Sequence, residues 1–421
     1  MQLKLWPFFS HTASYRFLLF AIMLFFLFFA DAIMTYYVPV AIEGAVGSST
    51  KMGLVLATSS LVGMVIDFSF AQFFSQKKAL FFQLILFLCV FFFPLSFFLS
   101  HSVLTFVLAM AWWGVSYEAM TFTTYHAIHE AVGRSAHAWA WGIVAILKNV
   151  SLVIGPLIAS SALAYSLAFP LSIAIFCNAI AALIFFALYL LNSHRLFAQN
   201  SQELTPTPAR RTLSETIAIW KALDQILWPL LAFLALFFLF DSAVFTIGPI
   251  LTERLKQQQE LGGVFVSLYG IPGIFVGFFL SGVGKRFGKK KAAFVSGILG
   301  GFCAVLIGVS HVLLFMLIAM FFASLWLSVM EPLLLAVFED LVARGESVAN
   351  DLISFTALTS SFGYVVGPVL NGVMADLWGE LSVFMIWGAL LCGFGVWLLL
   401  TFPRKVRLPQ AQIQHILSQE S

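Results

Sequence analysis

Five ionisable residues stand in stretches that are otherwise apolar: Asp31, Glu118, Lys148, Asp241 and Glu331. Asp31 lies within RFLLFAIMLFFLFFADAIMTYYVPVAI, residues 16–42, a run long enough to cross a bilayer core of about 30 Å. At about 1.5 Å rise per residue it sits roughly 22 Å along a helix from Arg16. An ionised carboxylate at that depth costs at least roughly 2.5–3.5 kcal/mol. Asp241 repeats the arrangement in LLAFLALFFLFDSAVFTIGPIL. If all five groups were charged, their sum would be −3. Like charges in a low dielectric disfavour one another, so at least one acid is expected to hold a proton at neutral pH. A carboxyl that gains and loses a proton as it faces each side of a membrane is what proton coupling requires. Lys148 is expected to pair with Glu118 or Asp31; the plainer role for that pair is a structural ion pair. Asp241 and Glu331 have no basic residue among the apolar stretches of their own half. They are the better candidates for proton coupling or for binding a cation.

Other chemistries fit less well. His126, His129 and Glu130 read HAIHE, which matches neither HExxH nor HxxEH. They are expected to form a hydrogen-bond cluster with Arg134 and His137 rather than a metal site. Cys89, Cys177, Cys303 and Cys392 are widely spaced within apolar stretches, which suits neither a disulfide framework nor a CxxC metal site. No GxxxxGK[ST] occurs, so ATP is not expected to be the direct driver. No cofactor is implied.

The elements that must position these residues follow from composition. The 421-residue chain is 61% hydrophobic and 10% charged, with a mean hydropathy of +0.99. A soluble domain carries about 25% charge, so the chain reads as an all-α integral membrane protein. Apolar runs place twelve spans at about 16–42, 52–75, 79–99, 103–128, 137–164, 169–192, 226–251, 261–284, 290–309, 312–337, 351–374 and 381–402. The first is too long for a signal-peptide core and is expected to act as a span. Eighteen of the 22 Lys and Arg fall on one side; Lys51, Arg254 and Lys256 fall on the other, and Lys148 lies within a span. That bias puts both termini in the cytoplasm. The net charge of +3 carries no sign of a nucleic-acid partner.

The polar segment 193–225, with LTPTPARR, divides the spans into bundles at 12–192 and 226–402, and a tail follows at 403–421. Part of that segment is expected to lie as an amphipathic helix on the inner surface. The bundles match in kind. Asp31 and Asp241 lie 210 residues apart, Glu118 and Glu331 213, and Pro156 and Pro368 212. Three markers at nearly one offset indicate a duplication. Parallel halves place a binding site between them near the midplane, and rocking exposes it alternately.

At this point the sequence resembles the major facilitator superfamily, over about residues 12–402. Gly63-Met-Val-Ile-Asp67 fits the opening of that family's signature between spans 2 and 3, although the basics come late, at Lys77 and Lys78. Between spans 8 and 9, Lys285-Arg286-Phe287-Gly288-Lys289-Lys290 fits the basic part, with Lys285 where the acid would be. The resemblance implies a cytoplasmic gating role for Gly63, Asp67, Arg286 and Gly288. Ser151-x-x-x-Gly155-Pro156 and Gly363-x-x-x-Gly367-Pro368 resemble a span-5 motif enriched in the family's antiporters. Small residues at i and i+4 let helices approach closely, and Pro loosens the helix. In the family, spans 1, 4, 7 and 10 line the central cavity, and all four acids fall on those spans. Most aromatics are expected to pack or anchor. Among Trp112, Trp113, Tyr117, Tyr125, Trp139, Trp141 and Tyr364, which can face the cavity, and Tyr36, the choice falls on Tyr36 and Tyr117. Each lies within about a turn and a half of an acid.

The reading is a monomeric, proton-coupled exporter of small organic molecules in the cell membrane, its partners being substrate, protons and lipid. The alternative is proton-coupled uptake of a sugar, nucleoside or organic cation. A receptor or membrane enzyme on the same scaffold lacks the extra domain or reacting constellation it would need.

Overall fold

A computed structural model describes residues 11–73, 79–100, 102–131, 137–190, 213–344 and 348–403. Lys77 and Lys78, residues 193–212 of the expected linker and the tail beyond 403 lie outside them. The described residues form α1 (His11–Val46), α2 (Ser49–Phe73), α3 (Ala79–Phe98), α4 (Val103–Ala131), α5 (His137–Leu163), α6 (Ala168–Leu190), α7 (Leu213–Thr246), α8 (Gly248–Gln258), α9 (Ser267–Phe287), α10 (Lys289–Val309), α11 (Leu313–Val342), α12 (Ala349–Trp378) and α13 (Glu380–Thr401). Twelve of these, all but α8, are long and apolar enough to cross a membrane. With every backbone polar group paired inside its own segment, helices of this kind satisfy the bilayer's demand.

The breaks between spans are made locally. Gly47, Gly288 and Gly379 take positive φ values of 63°, 80° and 86°, which a side chain would strain. They allow α1–α2, α9–α10 and α12–α13 to turn within one or two residues. Two expectations need correction. Residues 213–225 are not a separate surface helix but the first turns of α7. Ile219, Leu223, Leu227 and Leu230 are buried at helical spacing, and Trp220 Nε1 donates to Asp351 Oδ1 at 2.9 Å. The stretch after α7 is not a plain loop either. It forms α8, followed by a 3-10 turn at Glu260–Val264.

The chain divides into two compact units: Met1–Gln202 with Phe245–Ile274, and Glu203–Val244 with Phe275–Ser421. In the first unit α1 packs against α5 and α6, and α4 against α2 and α3. Its core runs along α1 through Phe17, Phe20, Leu24 and Leu27, against Phe82, Ala119, Val144 and Ala181. In the second, α10 packs against α11 and α13. The most buried span of the first unit is α1, and that of the second is α7. The two repeated aspartates therefore sit on the most enclosed helix of their respective units.

Candidate functional site

Asp31 is partly buried on α1, and its carboxyl is met from α4. Trp113 Nε1 donates to Asp31 Oδ1 at 2.7 Å. Phe93 of α3 stacks on the Trp113 ring at 5.1 Å, nearly parallel, and fixes the indole's angle. Asp31, Trp113, Ser116, Tyr117, Asn178 and apolar side chains from α1, α3 and α4 enclose a cavity of about 20 Å³, enough for one water molecule. The Lys148 charge acts on Asp31, and its ammonium lies 6.0 Å from the Tyr117 ring centre. Glu118 turns to α2, where its Oε1 would lie 3.2 Å from a Cβ on Gly63. It also stands close enough to Asp67 for the two carboxylates to repel.

Asp241 is more enclosed, at 7% exposure. Tyr364 of α12 donates its hydroxyl to Asp241 Oδ2 at 2.5 Å, a length typical of a charge-assisted O–H···O contact. A second polar group sits beside it. Trp387 Nε1 donates to Asn371 Oδ1 at 2.6 Å, while Asn371 Nδ2 reaches Ser242 Oγ at 3.5 Å.

The two Gly-Pro motifs do equivalent work in the two units. A Cβ on Gly155 would stand 2.6 Å from Ala32 Cβ, the residue after Asp31. A Cβ on Gly367 would stand 2.6 Å from Ser242 Oγ, the residue after Asp241. Gly363 meets Phe238 in the same way, at 2.3 Å. Each glycine thus brings α5 or α12 against the turn of α1 or α7 that carries the acid. Pro156 and Pro368 follow at once inside the same helices.

Gly63 and Asp67 mark a similar approach. A Cβ on Gly114 of α4 would stand 2.2 Å from the Ser59 carbonyl and 3.1 Å from the Gly63 nitrogen. In the second copy, Gly288 supplies the positive-φ turn before α10. Lys289 Nζ meets Asp340 Oδ1 at 2.7 Å, and Arg286 is exposed. Glu331 is partly buried on α11, next to Pro332.

Of the two aromatics singled out from sequence, Tyr117 lines the Asp31 cavity. Tyr36 points elsewhere: its hydroxyl donates to Glu253 Oε1 of α8 at 2.7 Å. Beside it, Lys256 Nζ donates to the Ser160 carbonyl at 2.6 Å, and Arg254 Nη2 lies 3.7 Å from Glu43. The groups that touch the acids, Trp113 and Tyr364, come from neighbouring helices. The repeat carried a signal for one: Trp326 stands 213 residues beyond Trp113, the offset of Glu118 and Glu331. The side chains of His126, His129, Glu130 and Arg134 lie outside the described residues. Among the described residues no three His, Cys, Asp or Glu gather where they could hold a metal ion.

A family model described as Major Facilitator Superfamily matches residues 127–349 and 230–417. No curated protein matches the chain. Solved structures resemble it in fold. The nucleoside transporter NupG aligns with a TM-score of 0.68 at 11% identity, over 93% of this chain and 100% of that one. The peptide transporter POT, in complex with sulfate, gives 0.71 at 13% identity, over 93% and 95%. A bacterial homologue of the human lysosomal transporter Spinster, inward-facing and unoccupied, gives 0.64 at 13%, over 97% and 95%.

Proposed function

Because this chain belongs to the major facilitator superfamily, we propose that it is a proton-coupled secondary transporter that exports small organic molecules by alternating access. The observation that carries the reading is Asp241. Its carboxyl lies on the most enclosed span of its unit, 7% exposed, with a phenol hydroxyl as its hydrogen-bond donor. A carboxyl this dry changes its free energy strongly with protonation and with access to water, which is the property that coupling uses. Asp31, facing Trp113 and acted on by Lys148, is the candidate for holding a polar part of the substrate, with Tyr117 at the same cavity. Export rests on the close helix contacts at Gly155 and Gly367, the positions that resemble the antiporter motif. The protein works as a monomer in the cell membrane, with both termini in the cytoplasm. Glu118 and Asp67 with Gly63, and Arg286 with Gly288, belong to the closing of its cytoplasmic end, while Glu331 stands with Asp241 as a candidate for coupling.

The test is reconstitution into liposomes under an imposed proton gradient. Internal pH is followed as nucleosides, sugars and organic cations are added in turn. Protons moving opposite to substrate support export; protons moving with it assign uptake instead. Asp241→Asn is expected to abolish the proton movement. If Asp31→Asn and Asp241→Asn both leave it unchanged, neither acid is the coupling group.

A further inference from the structure

The duplicated aspartates meet hydrogen-bond donors of different chemistry, and that difference assigns them different work. An indole N–H is a donor and nothing else; a phenol hydroxyl both donates and accepts. Trp113 Nε1 can therefore bond Asp31 only through an oxygen that carries no proton. Its 2.7 Å contact is at the short end expected when the acceptor is charged. The Phe93 stack, at 5.1 Å and 10° between planes, holds the indole in that one orientation. The Lys148 charge acts on the same carboxylate. While that bond holds, Asp31 Oδ1 carries no proton.

Tyr364 imposes no such bias. Its ring rests on Phe238 at 5.8 Å, and its hydroxyl hydrogen turns about the C–O bond. When a proton arrives on Asp241 Oδ2, the phenol hydrogen turns about the C–O bond away from the carboxyl. The phenol oxygen then accepts the Asp241 O–H. One proton is gained, one hydrogen bond reverses, and no bond to carbon changes. The 2.5 Å separation is that of the charge-assisted form; the reversed bond, between neutral groups, is expected to lengthen to about 2.7–2.8 Å.

We propose that Tyr364 is a positioning residue whose reversible hydrogen bond lets Asp241 cycle between its two protonation states, while Trp113, a donor only, keeps the proton off Asp31 Oδ1. The proposal rests on the proton-coupled reading above and deepens it. Of the titratable groups, Tyr364 of α12 touches Asp241, and Lys148 of α5 and Tyr117 of α4 stand around Asp31.

Infrared difference spectra of the full-length protein in lipid, taken between neutral and acidic buffer, test it with the proton itself as probe. The band read is the C=O stretch of a buried protonated carboxyl. It is expected in the parent protein and in Asp31→Asn, and to be lost in Asp241→Asn. Tyr364→Phe keeps the ring and removes only the hydroxyl. It should shift the band's frequency and its pH midpoint, whereas Trp113→Phe should leave both in place. Thermal melting confirms that each variant is folded, which a frequency shift does not depend on. A band lost in Asp31→Asn and kept in Asp241→Asn overturns the proposal. So does a band that Tyr364→Phe leaves unmoved, although the proton-coupled reading survives that result. If no buried carboxyl titrates in any form, that reading fails as well.

Discussion

A glycine inside a helix can be replaced only where the absent Cβ leaves room, and α5 contains both cases. Around Gly142 there is nothing within 4 Å of a built Cβ; at Gly155 the same atom would stand 2.6 Å from Ala32 Cβ and 3.1 Å from the Ala32 carbonyl carbon. Gly142→Ala should therefore raise stability by up to about 1 kcal/mol, the helix-propensity difference. Gly155→Ala must push α5 off α1 and should lower stability by about 1–3 kcal/mol, as overpacking does. Thermal melts of the two variants beside the parent read this directly; equal melting temperatures would mean that the α1–α5 contact yields freely. These glycines were legible in the sequence because small residues four apart have one geometric meaning. The partners of the acids were not. Nearness along a helix pointed to Tyr36 and Tyr117 as neighbours of Asp31 and Glu118. Yet Tyr36, five residues from Asp31, donates to Glu253, while Trp113, 82 residues away, donates to Asp31. Contacts at the midplane are made between helices, and one chain's periodicity does not state which helices touch.

At the level of elements, the sequence reading was weakest where composition changes without a change of structure. The polarity of LTPTPARR ends a span on paper, but Leu213–Gln225 is helix because its apolar face is buried and Trp220 is tied to Asp351. In the same way TERLKQQQ reads as a loop and forms most of α8. This helix is held to α1 and α5 by polar contacts, Tyr36 to Glu253 and Lys256 to Ser160, and by buried Ile250, Leu251 and Leu255. Tyr36 is 1% exposed, so Tyr36→Phe takes the phenol donor from the Glu253 carboxylate at a partly buried contact. The cost should be about 1–3 kcal/mol, felt first in α8. Hydrogen exchange of amides 248–258 should quicken while that of α3 and α6 stays the same. Unchanged exchange in α8 would assign its attachment to Lys256 and the three apolar side chains.

Across the whole molecule, the two units repeat a contact rather than merely a composition: acid on the enclosed helix, glycine against the next residue, proline after the glycine. A duplication explains why one offset near 212 recovers all three markers. It also explains why the differences are informative, since Lys148 and Tyr364 fall where the other half has Ser360 and Leu152. The same duplication fixes what orientation must mean. On the proposed topology, the bias of Lys and Arg puts both termini in the cytoplasm. It predicts that Lys51, at the start of α2, and Lys291, at the start of α10, are reached from opposite sides of the membrane. In a variant with the four cysteines replaced, Lys51→Cys should react with an impermeant thiol reagent added to intact cells. Lys291→Cys should react only after the membrane is opened. The reverse pattern would overturn the proposed topology.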